Sequence, residues 1–443
     1  MVKQFDKTQN NKLVKQPVKK SNKFIYFDNN STTLICNPAK EEFIKTLDCY
    51  NPSSDSKVSK PAKKILQDSA DYILSHCSVS SATHTCIFTS GGSESNCLII
   101  KSCVKAYRKK LNEKGSLLKP HIITSKLEHH SIIECLNDLE TNNDVEVTYV
   151  EPNIMGIILV KDVELAIKPN TCLITIMYAN NEIPAINNIK EIGALAYKNR
   201  IPLHSDCVQI FGKYKINLME NNINSITASA HKFYGPKGVG ILIIDNNVIE
   251  GYGLTAEISG SQQHRLRGGT ENVPGIAATL AALKYTFINR KIKNQKLYEL
   301  RELFLNKIKE HFKMADFRTY IDDTYNLKHE PLELISLGPT DKFKNCILPN
   351  TCLLAVAKNK GKPFCNVELK NILDSKNCIV SIGSACLTKS DKASHVLTSI
   401  GAPSVIKRGV IRISFGDSNT KEELYYFIEV LKSAILKQCV DLA

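Results

Sequence analysis

A chain of 443 residues, 43% hydrophobic and 23% charged, can bury a large core and divide into two or three folding units. The 58 basic against 44 acidic side chains leave a net charge of +14, yet lysine is spread along the whole length and no aromatic-interleaved basic patch marks a nucleic-acid module. No apolar run approaches the ~18 residues of a membrane span, and fifteen cysteines without an export signal or a Cys-x-x-Cys pair read as reduced thiols, so no membrane contact, disulfide framework or metal site is expected.

The chain opens on a solvated arm, residues 1–23, with Lys3, Lys7, Lys12, Lys15, Lys19, Lys20 and Lys23 against the single acid Asp6. It lacks the arginines and amphipathic period of a transit peptide, so a cytoplasmic location is expected, with a mitochondrial-type organelle left open. This arm is the only stretch through which a nucleic acid would bind.

From about residue 85 to 285, short apolar runs alternate with amphipathic patterns. Cys86 to Thr89, His121 to Thr124, Val145 to Val150, Cys172 to Met177, Ile201 to His204, Ile223 to Thr227 and Gly240 to Ile244 read as strands. Ser93 to Arg108 and Asn188 to Lys198 read as helices between them. Such alternation predicts an α/β fold with a mostly parallel seven-stranded sheet covered by helices on both faces, its ligands at the carboxyl ends of the strands. A long charged helix, Lys291 to Phe312, opens a second, smaller α/β region.

The chemistry-bearing residues fall at those strand ends. Thr89-Ser90-Gly91-Gly92-Ser93-Glu94-Ser95 is a small-residue turn entering a helix, where free N–H groups and the positive dipole end suit a phosphate. His129 follows another strand, where an imidazole can stack on a ring or shuttle protons; a lone histidine there is more readily structural. Asp206 and Gln209 lie past the fifth strand, and Ser229-Ala230-His231-Lys232 past the sixth. A lysine delivered off one strand with a carboxylate on its neighbour is what pyridoxal phosphate chemistry requires, the amine to bond the aldehyde and the acid to keep the pyridine nitrogen protonated. Taken alone, the His231-Lys232 pair reads more readily as a surface lysine beside a core histidine.

Gly383-Ser384-Ala385-Cys386 follows the strand Cys378 to Ser381 and precedes a helix beginning near Ser394. Its loop carries Lys389 and Lys392, cations that favour a thiolate. Arg412 interrupts the apolar strand in Val410 to Gly416; its fork can grip a carboxylate at two points or be buried beside a structural acid.

The constellation resembles the group I cysteine desulfurases and the related selenocysteine lyases, class V aminotransferase-like members of the fold-type I pyridoxal phosphate enzymes. The resemblance runs from Tyr26-Phe27-Asp28-Asn29-Asn30-Ser31-Thr32-Thr33 to Arg412-Ile413-Ser414-Phe415-Gly416, and includes Asn51-Pro52-Ser53-Ser54, Asn180-Asn181-Glu182 and Arg267-Gly268-Gly269-Thr270-Glu271-Asn272. It implies that Lys232 is the Schiff-base lysine, Asp206 the pyridinium partner, Gln209 the partner of the phenolic oxygen and His129 the residue stacked on the ring. Gly92, Ser93, Ser229 and His231 are then the phosphate holders, with Thr270 reaching the phosphate from the other subunit of a homodimer. Asn180 and Arg412 receive the carboxylate of L-cysteine, and Cys386 accepts its sulfur as a persulfide for a sulfur-acceptor protein, in iron–sulfur cluster assembly or thiolation. It also implies a large domain over 36–289 and a small one from 24–35 and 290–443.

Several positions depart from the family pattern: Asp55-Ser56-Lys57 after Asn-Pro-Ser-Ser, Ala230 before His231, and His264-Arg265 before the Arg267 motif. The chain stops at Ala443 without the extended tail of housekeeping desulfurases. Selenocysteine lyase remains the alternative within the family, and a non-catalytic scaffold for RNA or a sulfur-relay partner the alternative outside it; retention of Lys232, Asp206, His129, Arg412 and Cys386 together argues against the scaffold.

Overall fold

The computed structural model describes residues 24–317, 332–339, 345–358, 364–382 and 394–440. Its strands are β1 (Ile25–Tyr26), β2 (His84–Thr89), β3 (His121–Ser125), β4 (Glu146–Val150), β5 (Thr171–Thr175), β6 (Leu203–Asp206), β7 (Ser225–Ser229), β8 (Gly240–Asp245), β9 (Lys313–Asp316), β10 (Leu332–Ser336), β11 (Thr351–Lys358), β12 (Cys378–Ile379) and β13 (Val410–Ser414). Seven of them form one sheet in the order β2-β8-β7-β6-β5-β3-β4. All neighbours in it run parallel except β8, which is antiparallel to both β7 and β2. This is the mostly parallel seven-stranded sheet expected from the alternating pattern.

Because side chains on a strand alternate between faces, consecutive apolar residues feed two different cores. Ile122 packs with Leu98 and Cys103 of the helix Gly92–Glu113 on one face. Its neighbour Ile123 packs on the other face, in the core that holds Ile73 of Lys60–His76 and Ile192 of Ile189–Lys198. A strand buried on both sides therefore reads as an unbroken apolar run, which is how these strands look in the sequence.

Two boundaries moved toward the C-terminus. The runs Ile201 to His204 and Ile223 to Thr227 become Leu203–Asp206 and Ser225–Ser229. Pro202 has no N–H to give a ladder, while the pairing of Asp206 with Thr227 carries the sheet beyond its apolar stretch. Asp206 and Ser229 thus become the last residues of their strands, at the edge where open α/β sheets bind ligands.

A second sheet runs β13-β11-β10-β9, and β1 pairs with β12. Around it, Phe27 packs with Phe304, Phe415 and Phe427 in a separate aromatic core. We propose on this basis that 24–35 belongs with the region from 290 onward as the smaller lobe and 36–289 forms the larger; residues 1–23 lie outside the described part.

Candidate active site

The carboxyl edge of the large sheet opens into a cavity of about 480 Å³, lined by Gly92, Ser93, His129, Asp206, Gln209, Ser229, His231, Lys232 and Arg412. Nine residues singled out along more than 300 positions of sequence therefore meet at one place. For eight of them the reason is topological, since parallel strands all deliver their C-termini to the same edge; Arg412 comes instead from β13 of the second sheet.

Asp206 is buried and held by two donors, Asn96 Nδ2 to Oδ2 at 2.8 Å and Val208 N to Oδ1 at 2.9 Å. The helix Gly92–Glu113 starts at the cavity wall, and its entry is locked by Glu94, which accepts from Ser90 N at 2.7 Å and pairs with Arg267 at 2.9 Å. That leaves the first-turn N–H groups at Gly92 and Ser93 beside the opening. His129 caps the next helix, its Nδ1 accepting from Ser131 N at 3.1 Å, so the neutral ring carries its proton on Nε2. Its ring is exposed to the cavity, and the enclosing walls lower its basicity.

Lys232 sits in a short helical turn past β7, its Nζ donating to the carbonyls of Asn30 at 2.6 Å and Ser31 at 2.8 Å. Burial, and then the Arg412 guanidinium, bring its ammonium down to about 8. Burial and the neighbouring Lys232 bring His231 down to about 4, so this ring is neutral near pH 7. Arg412 on β13 pairs with Asp28 at 2.6 Å and donates to Asn181 O at 2.8 Å. Both readings of this arginine meet here, since it is buried beside a structural acid and also lines the cavity.

Asn180 is not at the cavity. Its Nδ2 donates to Leu127 O at 3.0 Å, and its Oδ1 accepts from Glu182 N and Ile183 N at 2.7 and 3.0 Å. These bonds hold the turn after β5 closed and use up the side chain, while the neighbour Asn181 lines the cavity. Thr270 is also absent from it; it lines a separate cavity of about 160 Å³ with Ser90, Arg267 and Glu271. Cys386 lies outside the described residues, but both described flanks of its loop line the opening. Ser381 exchanges backbone hydrogen bonds with Arg412, and His395 follows Ser394, whose hydroxyl donates to Glu182 at 2.6 Å.

The sequence profile described as aminotransferase class-V matches residues 25–329. The cysteine desulfurase IscS of Clostridium botulinum strain Hall is 34% identical over 427 residues, spanning 94% of this chain and 95% of the relative. The chain belongs to the cysteine desulfurases of the class-V aminotransferase family. Among solved structures it is similar to a NifS-like protein at a TM-score of 0.77 and 27% identity, covering 94% of this chain and all of that one. It is likewise similar to a structure described as "SspA in complex with cysteine", at a TM-score of 0.67 and 28% identity, covering 89% of this chain and 99% of the other.

In this cysteine desulfurase chain the cavity also holds residues that the sequence did not single out. Asn30, Asn96, Asn181, His130 and His395 line it. Asn30 supplies the carbonyl shared by Lys232 Nζ and Gln209 Nε2. The His395 ring donates through Nε2 to Glu128 O at 2.9 Å and meets His130 edge-on at 4.8 Å. Asn30 and Asn181 stood within the quoted Tyr26-to-Thr33 and Asn180-to-Glu182 motifs, and that was the available signal. No spacing rule pointed to Asn96 or His395. Among the described residues no helix is long and apolar enough to cross a membrane.

Proposed function

We propose that the protein is a pyridoxal-phosphate-dependent cysteine desulfurase, which takes sulfur from L-cysteine, releases L-alanine and passes the sulfur through Cys386 to an acceptor protein. The observation that carries this reading is the meeting of Lys232, Asp206, His129 and Arg412 in one cavity. The cavity fits such a cofactor chemically. Asn96 Oδ1, Gln209 Oε1 and Arg412 Nε are buried without hydrogen-bond partners, a cost that a polar guest offsets. A Cβ at Gly92 would stand 3.0 Å from Val208 Cγ2, so a residue without a side chain keeps the phosphate end of the cavity clear.

Gly92, Ser93, Ser229 and His231 would hold the phosphate, Asp206 the pyridine nitrogen and Gln209 the phenolic oxygen, with His129 against the ring. When bound, pyridoxal phosphate supplies an electron sink that acidifies the substrate's Cα–H and weakens its Cβ–S bond. Lys232, with its lowered basicity, is the base that takes the Cα proton. Two N–H donors hold the Asp206 carboxyl group in one orientation toward the cavity. Arg412 and, in place of Asn180, Asn181 receive the substrate carboxylate. His129 relays a proton to and from the substrate thiol through Nε2. The Cys386 thiolate attacks the substrate sulfur, so an S–S bond forms as the Cβ–S bond breaks, and the outer sulfur then moves to another thiol.

A homodimer supports Thr270 as the partner subunit's contribution, since Thr270 lies outside the Lys232 cavity of its own chain. Ile44, Leu47, Tyr50 and Val58 expose a run of apolar side chains that a second copy would cover. The relatives and neighbours favour cysteine over selenocysteine, and the polar cavity favours an enzyme over a scaffold. The test is borohydride trapping: the cofactor should be found on Lys232, and Lys232→Ala should lose both the trapped adduct and alanine formation. Alanine production by that variant at the wild-type rate refutes the assignment.

A further inference from the structure

The stretch Asp28-Asn29-Asn30-Ser31-Thr32-Thr33 crosses between the two sheets at the cavity. Toward the smaller sheet, Asp28 pairs with Arg412, Asn29 Nδ2 donates to Ser414 O at 2.9 Å, and Asn30 N donates to Ser414 Oγ at 2.9 Å. Toward the large sheet, Thr33 Oγ1 donates to His231 O at 2.9 Å and accepts from Tyr234 N at 2.7 Å. Between these anchors Asn30 is 1% exposed. Its Nδ2 donates to Thr351 Oγ1 at 2.9 Å and more loosely to Asn181 O at 3.4 Å, and its Oδ1 accepts from Asn350 Nδ2 at 3.1 Å. Asparagine supplies a donor and an acceptor on one short side chain, and both are engaged here. The carbonyl of the same residue accepts from Lys232 Nζ at 2.6 Å and from Gln209 Nε2 at 3.0 Å.

We propose that Asn30 is a positioning residue for proton abstraction: its clamped side chain fixes the carbonyl that, with Ser31 O, takes up the N–H groups of the free Lys232 amine and leaves the lone pair for the substrate's Cα–H. This deepens the proposed function and rests on it. A neutral amine has two N–H groups and one lone pair, set tetrahedrally about the nitrogen. Lys232 Nζ donates to Asn30 O at 2.6 Å and Ser31 O at 2.8 Å, and among the described residues it has no third hydrogen-bond partner. Both N–H groups are therefore occupied, and the lone pair is left to the cavity that Lys232 lines. An amine without these acceptors rotates about its last carbon bond, so its lone pair is less often in line with the bond it must break.

The step balances without another reactant. The Cα–H bond breaks, a third N–H bond forms on Nζ, and the electron pair left on carbon passes to the cofactor's electron sink. The resulting ammonium keeps both carbonyl bonds, which strengthen because the donor is now charged. The two carbonyls thus favour the protonated lysine and act against burial, which disfavours it. Loosening the clamp should lower the basicity of Lys232, whereas a role confined to packing should not.

The test follows acetylation of Lys232 by trace acetic anhydride as a function of pH, in the full-length chain stripped of cofactor, read by peptide mass spectrometry. Asn30→Ala removes the clamp. Thr351→Val removes only the hydroxyl that accepts from Asn30 Nδ2, at a buried β11 position off the cavity wall, and so covers the case in which the alanine variant does not fold. Arg412, Asp28, Asp206, Lys213, His129 and His231, the charged and titratable groups acting on Lys232 or on which it acts, stay in place in both. The wild-type midpoint is expected at about 8. In Asn30→Ala it should fall by about one pH unit, tenfold in the dissociation constant, the equivalent of one hydrogen bond to a charged group. In Thr351→Val it should fall by about half as much, and Thr351→Ser should titrate as wild type. A midpoint in Thr351→Val that stays or rises, or a fall of the same size in Thr351→Ser, overturns the clamp. In the loaded enzyme, Asn30→Ala should lower kcat for alanine formation about tenfold with KM for cysteine within about twofold of wild type, and deuterium at Cα should slow it more than wild type. A raised KM with kcat unchanged overturns the role in proton abstraction. The acetylation profile does not depend on the desulfurase reading and the kinetics do, so the two failures are distinguishable.

Discussion

Replacing Arg412 by leucine raises the basicity of Lys232 and slows cofactor loading. Burial is the larger cause that brings the ammonium from 10.5 to about 8, and Arg412 the next; Asp28 and Asp206 act the other way. At about pH 7.5, an amine titrating at about 8 is about one-quarter neutral, against about 0.1% for one at 10.5, so the site multiplies the reactive form by about 200. Arg412→Leu removes a cation and also frees Asp28 from its 2.6 Å ion pair, and both changes favour the charged lysine. A rise of one pH unit in the midpoint cuts the neutral fraction at about pH 7.5 by about eightfold. The assay follows borohydride trapping of pyridoxal phosphate on Lys232 as a function of pH in protein stripped of cofactor. No substrate is present, so the proposed carboxylate-binding role of Arg412 does not enter. The midpoint should move from near 8 to near 9; a common midpoint refutes the electrostatic reasoning.

Three other outcomes are expected. Cys386→Ser keeps the Lys232 adduct but loses alanine formation from cysteine and the persulfide, since a hydroxyl cannot form a transferable S–S bond; a persulfide mapped in wild type only to another cysteine removes Cys386 from its role. Mixing Lys232→Ala chains with inactive Thr270→Ala chains should restore activity in hybrid dimers, which hold one intact site; a fully active monomer excludes a shared site. Glu128, raised from 4.5 to about 8 by burial, contributes stability that is present below about pH 4.5 and is lost as pH rises through 8, with a ceiling of about 5 kcal/mol. Glu128→Gln cannot ionise, so it should resist denaturant better than wild type at about pH 9 and lose that advantage at about pH 5; a pH-independent difference in denaturant melts counts against a protonated buried Glu128.

Local sequence was sufficient for what depends on local chemistry. The apolar runs announced the strands because strands covered on both faces need apolar residues at every position. The small-residue turn at Gly91-Gly92 announced a helix start because small side chains leave the first N–H groups of a helix uncovered for an anion. The strand-end positions of Asp206 and Lys232 followed from the same alternation, although both strands proved to end later than their apolar runs. What tertiary structure decided were distinctions between neighbours and between distant partners. Asn180 and Asn181 have the same side chain, and only the hydrogen bonds that close the turn determine which one faces the cavity. Arg412 is both a structural ion-pair partner and a cavity residue, which required Asp28, some 380 positions away, to be placed beside it. The places of Asn96 and His395 depend on how helices pack side by side, and that register is set by the whole core, which no short stretch of sequence encodes.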